Sequence, residues 1–163
     1  MPTVTPHLWF EKDAEEAAEL YCSIFPDSRV VETRRIENTG PNLDQNVVIV
    51  VFEVCGQRVI ALEAGPEFKF NEAFSFYVEV EDQAEVDDYW AKLTANGGEE
   101  GPCGWLKDKY GLSWQIIPKL LTELMQDEDK ARADSVMRAM LQMKKIDCNL
   151  LREAYNEPAG ANA

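Results

Sequence analysis

The chain has 163 residues and a formal net charge of −14, with 30 acidic against 16 basic side chains. This surplus of carboxylates argues against nucleic acid as a partner, because binding a phosphate backbone needs clustered Lys and Arg, and against adhesion to anionic lipid. No apolar run approaches the roughly 18 residues of a membrane span, and the start, MPTVTP, lacks a signal-peptide pattern. We therefore expect a cytoplasmic protein, with no nucleic acid and no membrane among its partners.

The four cysteines are scattered along the chain. They are Cys22, Cys55, Cys103 and Cys148, and no C-x-x-C pair is present. A zinc knuckle or a thioredoxin-type motif needs such close pairs, so we expect reduced thiols.

The first half of the chain predicts the order β-α-β-β-β. A strand over 4–10 precedes a helix in which Asp13 is the expected N-cap and Glu16 completes a capping box. Three strand candidates follow, at 29–36, 46–54 and 58–64.

The second half repeats this order. After a loop that carries Phe68 and Phe70, a strand is predicted over 74–80, and Asp82 with Glu85 forms a second capping box. Asp82 and Glu85 follow Asp13 and Glu16 by the same number of residues. When the two halves are aligned with that shift, the apolar residues of the two predicted helices coincide. This match indicates two duplicated supersecondary units.

The last two strands are predicted to form a hairpin over 104–118. Its turn is Asp108–Gly111, where Asp can fold its side chain onto the backbone and Gly accepts a positive φ. Period two then splits the second arm into Leu112, Trp114 and Ile116 on one face and Ser113, Gln115 and Ile117 on the other. The mixed face predicts a strand that lines a small-molecule cavity, with a solvated face as the alternative.

The tail predicts helices. Pro118 closes the last strand and can start a helix at Lys119. A further helical run carries an apolar stripe made of Ala133, Val136, Met137, Met140 and Leu141. We expect the stripe to pack on the core or in a dimer, with an adaptable ligand surface as the alternative, and we expect 158–163 to be a frayed end.

Several strings carry a family resemblance. The chain contains PHLWF, AEEAAELY, SIFPDS, ALEAGPEFKFNEA, CGWLKDKYGLSWQIIP and MKKID. With the tandem β-α-β-β-β order and the D-x-x-G turn, these strings resemble the PhnB-like branch of the vicinal oxygen chelate superfamily, which includes glyoxalase I, bleomycin resistance proteins and dihydroxybiphenyl dioxygenases. Many members of that branch carry the label 3-demethylubiquinone-9 3-methyltransferase. The resemblance covers nearly the whole chain and implies a homodimer.

Pattern and resemblance together predict an α+β fold. Two tandem βαβββ modules form a curved mixed sheet around a cavity, and C-terminal helices follow. We expect one glyoxalase-like domain at 1–118, with modules at about 1–66 and 67–118, and a helical extension at 119–163.

The resemblance also identifies the positions in this chain that match the metal ligands of the superfamily. Its metal enzymes bring one ligand, usually His or Glu, from each of four strands to a divalent ion. The matching positions here are Val4, Ala73 and Gln115, and only Glu63 keeps a strong ligand. His7 is at an odd spacing from Val4, so we expect it to face the other side as a packed, hydrogen-bonded ring, with metal ligand or general base as alternatives. The resemblance thus implies no metal and no other cofactor.

The site prediction follows from strand parity. We expect Glu63, Ser75, Tyr77, Ser113 and Gln115 to face the cavity. Glu63 is the candidate catalytic base, with a solvated strand end as its alternative. The ligand-binding candidates are Tyr77, Trp105, Ser113, Gln115, Phe68 and Phe70.

Three functions remain open. The favoured one is a metal-independent binder of a small organic ligand. The alternative is an isomerase, lyase or transferase of the vicinal oxygen chelate type that uses Glu63 as base. The third is the methyltransferase of the family label, although no glycine-rich loop follows a strand as a Rossmann-type cofactor site would need.

Overall fold

The structure is a computed structural model that describes residues 1–40 and 42–158. The chain divides into two compact units, with the division between Phe70 and Asn71. The helices after residue 118 belong to the second unit together with the second module. Of the predicted frayed end at 158–163, residues 159–163 lie outside the described residues.

The first unit contains four strands and one helix in the predicted order. They are β1 His7–Phe10, α1 Ala14–Ile24, β2 Arg29–Thr39, β3 Gln45–Val54 and β4 Gln57–Glu63. The sheet order is β1-β4-β3-β2, in which β1 and β4 run parallel and the other neighbours antiparallel. Cys55 and Gly56 link β3 to β4, both with positive φ, as a two-residue hairpin turn of the primed type requires.

The helix α1 packs on one face of this first sheet. The ring of Tyr21 lies 6.2 Å from that of Phe52 on β3, measured between centroids. Phe52 pairs with Val59 on β4, so Val59 and the alternate Ala61 share that face, and both are fully buried. The core of the first unit therefore lies between α1 and the β3–β4 hairpin.

The second unit repeats the module and adds three helices. Its elements are β5 Ser75–Val80, α2 Gln83–Thr94, β6 Glu99–Glu100, β7 Trp105–Lys107, β8 Ser113–Pro118, α3 Lys119–Met125, α4 Lys130–Met140 and α5 Cys148–Asn156. The sheet order is β5-β8-β7-β6, with β5 parallel to β8. The predicted α+β fold of two βαβββ modules with C-terminal helices is confirmed, and α5 is an addition to the predicted elements. No helix in the described part of the chain is long and apolar enough to cross a membrane.

The turn between β7 and β8 is built around a buried carboxylate. Asp108 is 3% exposed, and its Oδ1 accepts hydrogen bonds from the backbone N–H groups of Tyr110 and Leu112 at 2.9 and 3.1 Å. Its Oδ2 accepts from the indole Nε1 of Trp114 at 2.9 Å. Gly111 has φ of 85° and its N–H donates to the Asp108 carbonyl, as the predicted turn requires. The Asp108 side chain therefore stabilises the turn between β7 and β8 and also holds the indole ring of Trp114 in position.

The predicted apolar stripe of the tail is divided in the structure. Val136 is fully buried and Met140 is half-buried, but Met137 and Leu141 are exposed. The buried residues join a small core whose members are Ile117, Leu121, Val136, Met143, Ile146 and Leu151. The core interpretation thus holds for part of the stripe, and packing in a dimer stays a prediction.

Candidate functional site

Four of the ligand-binding candidates share one face of the second sheet. Gln115 on β8 pairs with Tyr77 on β5 and with Trp105 on β7, and Ser113 follows the same parity. The amide Nε2 of Gln115 donates to the Oγ of Ser75 at 2.9 Å, which fixes the orientation of that amide. The opposite face carries fully buried residues, Leu106, Trp114 and Ile116. The prediction that Ser75, Tyr77, Ser113 and Gln115 share one face is therefore confirmed, and their role in ligand binding stays a prediction.

A cavity of about 540 Å³ opens at this face, and we call it the Ser113 cavity. It is lined by Glu72, Glu99, Glu100, Gly101, Pro102, Cys103, Trp105, Leu106, Lys107 and Ser113. Ser113 is 1% exposed, and its Oγ has no hydrogen-bond partner among the described residues. Since most buried polar atoms are hydrogen-bonded, this hydroxyl is an exception that needs a physical reason.

The charged groups of the Ser113 cavity are mostly acidic. Lys107 forms an ion pair with Glu72, and this hydrogen bond raises the pKa of Lys107 and lowers the pKa of Glu72. Glu100 accepts a hydrogen bond from the indole Nε1 of Trp90 at 2.7 Å. Glu99 adds a third carboxylate. Three acidic side chains against a single lysine leave a negative surplus, which favours a neutral or cationic occupant.

A second cavity, of about 350 Å³, lies under the C-terminal helices, and we call it the extension cavity. It is lined by Tyr77, Cys103, Trp105, Gln115, Ile117, Leu121, Thr122, Met125, Gln126 and Met140. Cys103 and Trp105 line both cavities. The sequence analysis missed the residues from α3 and α4. The local sequence predicts that these segments are helical, but it does not predict where on the sheet the helices pack. The only signal was the methionine stripe, through Met140.

Glu63, the candidate base, occupies a different place from the one predicted. It lies on the face of β4 that carries Val59 and Ala61, towards α1, and its Oε2 accepts a hydrogen bond from the backbone N–H of Ala14 at 3.0 Å. The predicted N-cap role of Asp13 is wrong. Asp13 has φ of 66° and its side chain makes no capping bond, and the Glu63 carboxylate instead accepts from the Ala14 N–H at the positive end of the helix dipole.

His7 and the loop aromatics belong to the first unit. His7 is exposed and alternates with the buried Leu8 and Phe10, so the expectation of a packed ring is wrong. Phe68 is 60% exposed and meets Trp9 edge to face at 4.9 Å, while Phe70 meets Phe10 in the same way at 5.0 Å. These contacts attach the loop after β4 to β1. A role for Phe68 and Phe70 in ligand binding stays a prediction.

The residues present do not fit the metal site of the superfamily. Among the described residues, no group of three or more His, Cys, Asp or Glu side chains is arranged to hold an ion. Val4 and Ala73 offer no ligand atom, and Gln115 offers only a neutral amide oxygen in place of a carboxylate. Glu63 is engaged at the start of α1. The side chains at these positions therefore do not form the metal site of the superfamily.

Comparison with known proteins gives the family. A family model described as 3-demethylubiquinone-9 3-methyltransferase matches residues 2–117. A PhnB protein from Bacillus cereus that carries the same methyltransferase label is 32% identical, with a TM-score of 0.61, and the match covers 72% of this chain and 99% of that one. No protein of curated function matches the chain.

Two more distant structures show the same fold. The fosfomycin resistance protein FosX from Listeria monocytogenes is 15% identical, with a TM-score of 0.54, over 77% of this chain and 98% of its own. A glyoxalase family protein from Bacillus cereus is 14% identical, with a TM-score of 0.52, over 72% and 93%. Because the family model matches most of the chain, and because the PhnB relative is matched over nearly its whole length, this chain belongs to the PhnB-like family described as 3-demethylubiquinone-9 3-methyltransferase.

Proposed function

We propose that this protein binds a small organic ligand, neutral or positively charged, in the Ser113 cavity and without a metal. The observation that carries the proposal is the buried Ser113 hydroxyl, which has no partner among the described residues. Leaving such a group unpaired costs about 1–3 kcal/mol, and a ligand whose hydrogen-bonding atom reaches Oγ, after a small movement of the wall that buries it, would recover that energy. The cavity volume of about 540 Å³ suits a small molecule.

The walls support orientation as well as burial. Trp105 supplies an aromatic side, and Lys107 is occupied by Glu72, so the cavity offers little positive charge to an anion. The net charge of −14 acts in the same direction at longer range. A phosphonate or phosphate is therefore a poor candidate, and an aromatic alcohol or amine is a good one.

The first test combines stability with binding in the variant Ser113→Ala. Removing an unsatisfied hydroxyl should raise the free energy of unfolding by about 1 kcal/mol. The same change should weaken binding of naphthol about tenfold, and leave naphthalene unaffected, in calorimetric titrations. Ser135→Ala, a buried serine of α4 that lines neither cavity, is the matched control and should change neither affinity. Equal affinities of naphthol for wild type and Ser113→Ala would contradict the proposal.

The second test addresses charge with two dyes on nearly the same ring system. N-phenylnaphthylamine is neutral, whereas anilinonaphthalene sulfonate is an anion, and both fluoresce on entering an apolar site. We expect the neutral dye to bind about tenfold more tightly at low salt, with the gap narrowing as salt screens the carboxylates. Stronger binding of the sulfonate would overturn the charge assignment.

The enzyme alternative assigns the base to Glu63. In Glu63→Gln, ligand affinity should persist if the protein is a binder, whereas turnover of a bound substrate should vanish if Glu63 is the base. The Oε2 hydrogen bond to Ala14 gives Glu63 a structural task that does not require catalysis. Loss of turnover in Glu63→Gln with normal folding would therefore favour the enzyme.

The methyltransferase alternative is favoured only by the family description. It requires a site for S-adenosylmethionine, so saturable binding of that cofactor by calorimetry is the deciding measurement. S-adenosylmethionine is a sulfonium cation and is not disfavoured by the acidic surface. Absence of binding at millimolar cofactor would exclude the methyltransferase.

A further inference from the structure

The C-terminal extension is held against the second sheet by backbone hydrogen bonds. The N–H groups of Cys103 and Gly104 donate to the carbonyls of Met143 and Lys144, both at 2.8 Å. Gly104 has φ of 82°, and a Cβ there would lie 2.8 Å from the Cδ1 of Ile117 and 3.1 Å from the Cγ1 of Ile146. Only glycine allows this close approach. The segment between α4 and α5 is thus fitted to the start of the β7–β8 hairpin.

A side chain of α2 makes the second attachment. The amide of Gln83 donates through Nε2 to the Ile146 carbonyl at 3.0 Å and accepts through Oε1 from the Cys148 N–H at 2.7 Å. Lys145 pairs with Asp87, also on α2, at 2.6 Å. The extension is therefore fixed at two places, and its cavity-lining side chains have a defined position.

The side chains that line the extension cavity differ in charge from those that line the Ser113 cavity. The extension contributes Leu121, Thr122, Met125, Gln126 and Met140, and none of the residues lining the extension cavity is charged. Methionine is unbranched and flexible, so it adapts to apolar chains of different shape. Leu121 and Ile117 belong to the buried core that backs this wall. The cavity thus suits an uncharged apolar group with few hydrogen bonds.

Resting on the proposed function, we propose that the extension cavity is a second compartment of the binding site. It takes an unbranched apolar chain of the ligand whose polar, hydrogen-bonding head occupies the Ser113 cavity. Cys103 and Trp105 line both cavities, so the two compartments adjoin each other at these side chains. The ligand class is an amphiphile: a neutral or cationic aromatic head with an alkyl tail.

The helical residues that line the extension cavity lie outside the part of the chain that the family model matches. The family match ends at residue 117, and all the helical lining residues follow it. The head compartment is therefore built from the part that the family match covers, whereas the tail compartment combines five residues of that part with five residues beyond it. Selection for the length of the tail is expected to be a property of this extension.

The experiment uses the full chain and naphthols that carry an unbranched alkyl chain of increasing length. Affinity measured by calorimetry should rise about threefold to fourfold per added methylene until the compartment is full. In Met125→Phe, which replaces a flexible side chain of the wall with a rigid ring, the gain with chain length should be reduced while unsubstituted naphthol binds as before. Met137→Phe is the matched control, because Met137 lies on α4, is exposed and lines neither cavity.

A second variant guards against misfolding of the first. Gln126 is exposed at the mouth of the extension cavity, so Gln126→Glu should leave the melting temperature unchanged and weaken long-chain binding at least fivefold. If naphthol itself does not bind, the proposed function fails. If naphthol binds but chain length or Gln126→Glu has no effect, the second compartment fails while the proposed function stands.

Discussion

The two units share one order of elements, yet they hold the starts of their helices in different ways. In the second unit, Asp82 accepts a hydrogen bond from the Glu85 N–H at 3.0 Å, and Glu85 accepts from the Glu81 N–H at 2.8 Å, so the cap is local. In the first unit, Glu63 reaches α1 from a strand 49 residues away. A repeated pair of acidic residues in the sequence therefore does not guarantee a repeated contact.

The hairpins of the two units differ as well. Cys55 and Gly56 turn the first hairpin in two exposed residues, whereas the second turns around the buried carboxylate of Asp108. The second unit also carries both cavities that contain candidate residues, and the helical extension. The second unit thus combines an apolar core with a buried carboxylate that organises its hairpin turn.

The largest effect is expected for Asp108→Ala. Three N–H groups lose their acceptor, so the free energy of unfolding should fall by about 3–5 kcal/mol in urea denaturation. Asp129→Ala is the control, since Asp129 also accepts from two backbone N–H groups but is exposed, and it should cost about 1 kcal/mol. Equal losses in the two variants would mean that burial of the Asp108 carboxylate has no special weight.

A smaller loss, of about 2 kcal/mol, is expected for Gln83→Ala, which removes the hydrogen bonds to Ile146 and Cys148. Amide hydrogen exchange should accelerate first in α5, because the extension is then less firmly attached. Gln57→Ala in the first unit is the comparison, since that exposed amide donates a hydrogen bond to the carbonyl of the neighbouring Arg58 and its loss should change nothing measurable. Unchanged exchange in α5 would show that the backbone bonds at Cys103 and Gly104 suffice.

The two helix starts can be compared directly through Glu63→Ala and Asp82→Ala. Each removes one capping acceptor and should cost about 1 kcal/mol. Glu63→Gln should cost only a few tenths of a kcal/mol, because an amide oxygen can still accept from Ala14 while the charge that favours the helix dipole is lost. A Glu63→Ala protein as stable as wild type would show that the distant cap adds nothing.

The smallest effect is a gain. Cys55 has φ of 48°, a conformation that asparagine adopts more readily, so Cys55→Asn should raise the free energy of unfolding by about 0.5 kcal/mol. Cys55→Val is the opposite control and should be destabilising, because a β-branched residue resists positive φ. The order Asn above Cys above Val in melting temperature is the expected result.

Much of the fold was predictable because its signals are local. The order of strands and helices, the cap formed by Asp82 and the turn at Asp108 each depend on residues within a few positions of one another. Strand parity is equally local, and it correctly predicts that Ser75, Tyr77, Ser113 and Gln115 share one face. The β-period of two needs no tertiary information.

What the sequence by itself determined was thus the secondary structure, its order and which side chains share a face. Only the tertiary structure decided that Glu63 serves the start of α1, that His7 is exposed and that Met125 and Met140 form a cavity wall. These contacts join residues far apart along the chain, and several partners of similar chemistry compete for each place. Side-chain packing and the positive end of the helix dipole determine which residue makes each contact. Both depend on the folded structure, so the local sequence does not predict them.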